Sequence, residues 1–589
     1  MERRALIAIG LSLAVLLVWQ VVFPPPKPPT LPPVPESIVE ETAPAVVEAD
    51  PLDASTSGGA PSESVEASAL ETERVETDDA LVVFTNKGGR VLSWKLKRYK
   101  DTSGDNLELV PGADLPARQR RWGAADLDEA DAALSDWLPF AIDLPGDQAF
   151  ESAANTALYQ MERRGTRAAP EVVLTWADGR GHEVVKSIRL GPGFTASVRL
   201  EVRRDGQPVP AGLAWGAGFG ETLTNGAANR FGYRGQALVD ERPKPTRLSA
   251  GSLDAGEQQS LAGERLWGGS EDTYFAALFL PEPSAAFRIR HAELPALAAA
   301  EPQPGLTVSV LTPGDGTPTN LYVGPKNYQL LKSMGRHLEE VVYFQSRVPL
   351  VGPITRGLFY ALVFIHEKIV ANWGWAIVIL TLGINGILWP IRHRTMLSMK
   401  HTQEKMKRLQ PRVASIKERY RKASKKDIDS RQKMNQEVMA IYKKEGINPA
   451  SNLTGCLPLF LQMPILFAFY NLLQVAIELR QAPFIFWVHD LASMDPYYVL
   501  PVVMGGSMLV QQVLTGSAIP DAAQRRMMYF MPIMFTFFFL QMPSGLVVYW
   551  LVNNLLGIVQ QQLVNQRHAH DIAPDAAPAG KRTAAGRKA

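Results

Sequence analysis

Residues 372–394, NWGWAIVILTLGINGILWPIRHR, constrain this chain more than any other stretch. About 20 consecutive apolar residues cross roughly 30 Å of hydrocarbon as a helix. Trp373 and Trp375 mark one membrane interface; Trp389, Arg392, His393 and Arg394 mark the other. Asn385 does not belong in oil. It sits about seven residues, or roughly 10 Å of helix rise, from the basic end. Thr381, Asn385, Leu388 and Arg392 fall at helical spacing on one face. The span therefore carries a polar stripe from mid-membrane to its basic end, and that stripe needs a function.

The chain has 589 residues and a net charge of +2, with the charge segregated along its length. Such a length suggests several domains. Residues 1–23 join a basic start to an apolar run without a cleavage pattern, which reads as an uncleaved anchor. Arg3 and Arg4 place the N-terminus in the cytoplasm. Residues 24–79 are rich in Pro, Ser, Ala and acids, so they read as a disordered acidic linker. Residues 80–345 alternate apolar and polar residues around the turn signals Gly88-Gly89, Asp178-Gly179 and Asp205-Gly206. They read as a large antiparallel β domain, and a sandwich is the architecture that buries its strand faces. His182 and His291 stand alone there, and the glycines of GAGFG lack dinucleotide-binding spacing. The single cysteine, Cys456, permits neither an internal disulfide nor a cysteine metal cluster.

Residues 350–371 are apolar but end in His366, Glu367 and Lys368, which suits a helix lying in the membrane interface. The first core span covers 372–392. Residues 393–449 are strongly basic, and Met406, Leu409, Val413, Ile416 and Tyr420 recur at alternating spacings of three and four. With Met434, Val438 and Ile441 they predict an antiparallel helical hairpin on the cytoplasmic side, its first helix kinked at Pro411. Residues 453–563 hold four more spans. Residues 564–589 form a basic, disordered cytoplasmic tail. Six spans with both termini inside satisfy the positive-inside rule and put the β domain in the periplasm.

The five C-terminal spans contain neither Asp nor Glu. Cation-coupled carriers use intramembrane carboxylates, so transport is disfavoured. No nucleophile–base pair, cofactor motif or metal motif is visible, so neither catalytic residues nor a cofactor are expected and an enzyme is not. The intramembrane polar residues include Thr381, Asn385, Gln462, Asn471, Asn553 and Asn554, and Tyr549, Asn553 and Gln560 form a second stripe on the last span. The bland function for such amides is interhelical hydrogen bonding, which is the favoured reading for Gln462 and Asn471. A solute carrier or channel, and a membrane-anchored periplasmic binding protein, are the two rival classes.

NWGWAIVILTLGINGILWP, NPASNLTGCLPLFLQMPILFAFY, ELRQAPFIFWVHDLASMDPYYVLP, MPIMFTFFFLQMPSGLVVYWLVNN and WGGSEDTYFAALFLPE resemble the bacterial YidC branch of the YidC/Oxa/Alb family. The resemblance covers nearly the whole chain. It implies a polytopic α-helical protein of the inner membrane: an anchor helix, a periplasmic β super-sandwich and a five-helix core around a hydrophilic groove open to the cytoplasm. It further implies an insertase and chaperone for nascent membrane proteins, working alone or with the Sec translocon and its accessory subunits. The ribosome, approached through the basic hairpin and tail, and the lipid bilayer are the other implied partners. The family's groove threonine matches Thr381, and its aromatic on the last span matches Trp550 beside Tyr549. Its groove arginine falls on Asn385, a departure, and Arg392 is the cation placed to take over anion attraction. The expected groove set is Thr381, Asn385, Arg392, Gln462, Tyr549, Trp550 and Asn553.

Overall fold

The computed structural model describes residues 63–101, 104–110, 138–217, 219–220, 235–242, 244–294, 303–344, 350–420, 428–444, 457–515 and 522–572. The expected anchor, most of the linker, Cys456, the polar turn of the hairpin and the tail beyond residue 572 lie outside these residues. The chain divides into two compact units, residues 1–341 and 342–589.

The first unit is a β structure of three antiparallel sheets. Thr72–Glu76, Ala80–Thr85, Arg90–Lys100 and Asn106–Glu108 form one of four strands in sequence order. A second sheet runs Thr246–Ser249, Gly235–Val239, Gly268–Glu271, Phe275–Pro281, Asp315–Pro325, Thr195–Arg204, His182–Leu190, Pro170–Ala177 and Gln160–Gly165. Gln207–Pro208 pairs beside it. The third sheet runs Gln258–Arg265, Ala285–Leu294, Gln303–Thr312, Ala211–Trp215 and Ala141–Asp143. Helices α1 (Gln148–Thr156) and α2 (Tyr328–Ser333) accompany them.

All three turn signals fall between paired strands, and two of them carry positive φ at both residues. Asp205 and Gly206 both take positive φ between strands that pair at Arg204 and Gln207, the backbone that a two-residue hairpin turn demands, and Gly88 and Gly89 take positive φ at the end of the longer connection between Thr85 and Arg90. One boundary differs. Residues 72–76, assigned to the linker, form a strand, because Val75 points inward, fully buried, opposite Val82. Alternation over only five residues in acidic surroundings is too short a signal to stand out.

The second unit is helical: α3 (Val351–Lys368), α4 (Trp373–Arg419), α5 (Ile428–Lys444), α6 (Leu457–Val475), α7 (Val499–Thr515), α8 (Ala522–Phe539) and α9 (Ser544–Ile572). Asn372 caps α4, its side chain accepting from Trp375 N at 3.0 Å. Helix α4 runs for 47 residues through both Pro390 and Pro411, so the first helix of the expected hairpin continues directly from the first core span. A proline removes one ladder hydrogen bond at a cost of about 3 kcal/mol. Strong helix formers flank it, and Leu409, Val413 and Ile416 bury their seam, which outweighs that cost. By length and composition, Trp373–Ser398 is the one described helix long and apolar enough to cross a membrane; α7 and α8 contain shorter apolar segments. Helix α3 buries Thr355, Leu358, Phe359 and Leu362 and exposes Phe364 and Tyr360, a one-sided apolar packing.

Candidate functional site

Three helices bring the expected polar residues to one place: Thr381, Asn385 and Arg392 from α4, Gln462 from α6, and Tyr549 and Asn553 from α9. The Asn385 amide nitrogen donates to Thr381 O at 2.7 Å and to Asn553 Oδ1 at 2.8 Å. Its oxygen accepts from Arg392 Nη1, whose Nη2 donates to Gln462 Oε1. Gln462 Nε2 then donates to the Tyr549 hydroxyl. Asn553 closes the circuit by donating to Tyr549 O at 2.9 Å. The result is one connected network in which each amide both donates and accepts. A half-satisfied amide in a low-dielectric interior is costly, so this closure is what makes the cluster tolerable there.

Burial grades along the network. Thr381 and Tyr549 are fully enclosed and Asn385 is 4% exposed, whereas Arg392 is only half-buried. The guanidinium is therefore the network's most accessible end. Among the described residues no carboxylate pairs with it, and two neutral amides hold it. Thr381 directs its hydroxyl to Ile377 O at 2.7 Å, so it serves Asn385 through its carbonyl.

Trp550 does not join. It lies about 100° around α9 from Tyr549 and packs on Phe535 and Phe539 of α8 at 6.2 and 5.4 Å. Adjacency in sequence hid that difference of face. Phe469, not singled out from the sequence, stacks on the Tyr549 ring at 4.6 Å. It follows Gln462 by seven residues on α6, a same-face spacing that could have drawn attention to it. Gln560 donates to Trp389 O at 3.5 Å. Asn554 donates instead to Ser507 of α7 at 3.0 Å.

Asn471 stands apart, as expected of a packing amide. It donates to Phe344 O at 3.1 Å and to the Thr355 hydroxyl at 3.4 Å. Asn471→Ala is expected to lower stability by about 0.6 kcal/mol, the mean for such bonds in membranes, and to leave activity unchanged. Thermal unfolding in detergent, run beside an activity assay, checks both halves.

Two family models match. The 60Kd inner membrane protein model covers residues 364–571 and the YidC periplasmic domain model covers residues 73–359. The membrane protein insertase YidC of Geobacter metallireducens is 31% identical over 96% of this chain and 98% of its own length. That of Syntrophus aciditrophicus is 31% identical over 96% of this chain and 100% of its own. The Campylobacter jejuni protein of the same description is 44% identical over 42% of this chain and 44% of its own.

Proposed function

The chain belongs to the YidC family of membrane protein insertases, and we propose that its Asn385–Arg392–Gln462–Tyr549 network is the surface on which a substrate's polar flank crosses the membrane. It is an inner-membrane protein with a periplasmic domain, and it acts on nascent membrane proteins in the bilayer. The apolar segment of a substrate partitions into lipid by itself. Its polar flank does not, because unpaired peptide and charged groups in hydrocarbon cost several kcal/mol. The network lowers that cost by exchanging its internal hydrogen bonds for bonds to the flank. Arg392, half-buried and held by two neutral amides with no carboxylate partner among the described residues, draws acidic flanks to its edge; this is the observation that carries the proposal.

Lateral release follows along α8. Phe530, Ile533, Met534, Phe537 and Phe538 are exposed, Phe537 to 73%. Uncharged and aromatic, that face suits a sliding apolar helix. The α6 face beyond Gln462 is the other wall. In this reading five helices of the second unit span the bilayer, both termini are cytoplasmic, and the basic end of α4 with α5 meets ribosomes. The Sec translocon is a further partner, and no cofactor or chemical catalysis is involved.

Photocrosslinkers at 385 and 537, presented to a stalled nascent chain, test the division of labour. The probe at 385 is expected to capture the polar flank and the probe at 537 the apolar segment. Silence at 537 removes the lateral path.

A further inference from the structure

The loop joining α6 to α7 sorts its residues inside out. Between residues 481 and 498, QAPFIFWVHDLASMDPYY, the side chains charged at neutral pH are Asp490 and Asp495. Both face inward. Asp490 accepts from Gln481 N at 3.0 Å, Ala492 N at 2.8 Å and the Ser493 hydroxyl at 2.7 Å. Asp495, fully buried, accepts from Trp487 Nε1 and Tyr497 N at 3.0 Å each and from Leu500 N at 2.7 Å. The outer surface carries what a water-facing loop hides. Phe486 is 83% exposed and Tyr497 69%, with Ile485, Met494 and Tyr498 beside them.

The loop imposes this arrangement. Phe486 and Tyr498 hold positive φ of 51° and 57°, uncommon for bulky residues. Trp487 stacks on Phe486 at 5.9 Å. The loop also docks firmly on the ends of the helices. Ser544 N donates to Ser493 O at 2.7 Å, Gly545 N to Leu491 O at 2.9 Å, and Asn372 Nδ2 to Pro483 O at 3.1 Å. Trp375 meets Phe484 edge-on at 5.5 Å. The patch thus borders the starts of α4, α7 and α9 and continues into the exposed Val499, Val502 and Val503 of α7.

We propose that residues 481–498 form a preformed wedge seated in the phospholipid headgroup–acyl boundary, on the leaflet where α4 begins. Continuity with the apolar surface of α7 fixes the occupant as lipid. Rings with one polar edge suit that boundary, and each carboxylate already accepts three hydrogen bonds from protein donors, which lowers the cost of taking it out of water. Asp490 and Asp495 are positioning residues: they keep the rings turned outward.

The test uses the full-length chain carrying Cys456→Ser, reconstituted in phosphatidylethanolamine–phosphatidylglycerol vesicles. Single spin labels are placed through Phe486→Cys, Tyr497→Cys, Phe537→Cys and Gln207→Cys, the last an exposed control in the β unit. At 486 and 497 collision with oxygen is expected to exceed collision with a water-soluble nickel chelate severalfold, with the reverse at 207. Adding Asp495→Asn is expected to shift the 486 label toward the chelate. Chelate access at 486 and 497 equal to that at 207, with lipid exposure at 537, overturns the wedge alone. Labels shielded from both reagents mean that protein covers the patch, which also overturns it. Water at 537 overturns the wedge together with the membrane placement it rests on.

Discussion

Arg392→Leu is expected to slow insertion of a substrate with an acidic translocated flank at least tenfold, while a neutral flank is little affected. A hydrogen bond to a charged group contributes about 1.5–3 kcal/mol, and every 1.4 kcal/mol is a factor of ten. The half-buried position of Arg392 weakens solvent screening relative to a surface cation, and in the resting network the guanidinium donates to two neutral amides. The variant also strips Asn385 Oδ1 and Gln462 Oε1 of a donor, so some stability is lost along with attraction. Asn385→Arg combined with Arg392→Asn separates the two effects. It moves the cation about 10 Å deeper while keeping an amide at the edge. This swap is expected to recover most of the lost insertion for acidic flanks. Protease protection of the translocated flank in reconstituted vesicles reads all four combinations. Equal slowing of acidic and neutral flanks by Arg392→Leu would make Arg392 a structural strut.

The stripe on α4 was legible because one helix carries Thr381, Asn385 and Arg392 at a fixed angular spacing. Which side chains answer it was less legible. Gln462 and Tyr549 lie on separate helices, and nothing local states that their side chains meet. The Tyr549–Trp550 pair shows the limit sharply: one step along a helix turns a side chain from the amide network to the rings of α8. At Pro411 the buried seam of α4 carries the helix past a residue that removes a ladder hydrogen bond. In the β unit the hairpins followed from positive-φ turn residues. The sheet order did not, because Thr195–Arg204 pairs with Asp315–Pro325 across more than a hundred residues, with no turn to announce it. The hydrogen-bonded carboxylates of Asp490 and Asp495 were hidden for a similar reason. A charged residue in a loop reads as solvated until its donors are known.

Lys186→Met is expected to be among the most damaging single changes in the β unit, lowering its stability by about 3 kcal/mol and its melting temperature by about 10 °C. Lys186 is fully buried, and its ammonium donates to Gly88 O at 2.6 Å, Gly89 O at 3.1 Å and Phe140 O at 2.8 Å. All three acceptors belong to residues with positive φ, of 63°, 56° and 74°. For Phe140 that conformation is strained, so one side chain from the large sheet pins three left-handed residues in the neighbouring turns. Methionine fills the volume and leaves three buried carbonyls without a donor, each costing roughly 1–3 kcal/mol. Relief from burying an ammonium offsets part of this sum. That burial also pushes the Lys186 pKa well below the ordinary lysine range. Between the depressed folded value and about 10.4 in the unfolded chain, the unfolded state binds more protons, so wild-type stability contains a component that rises with pH. The methionine variant lacks that slope. Calorimetry of the full chain across alkaline pH measures both quantities; an unchanged melting temperature with an unchanged slope would show that the three carbonyls do not depend on this lysine.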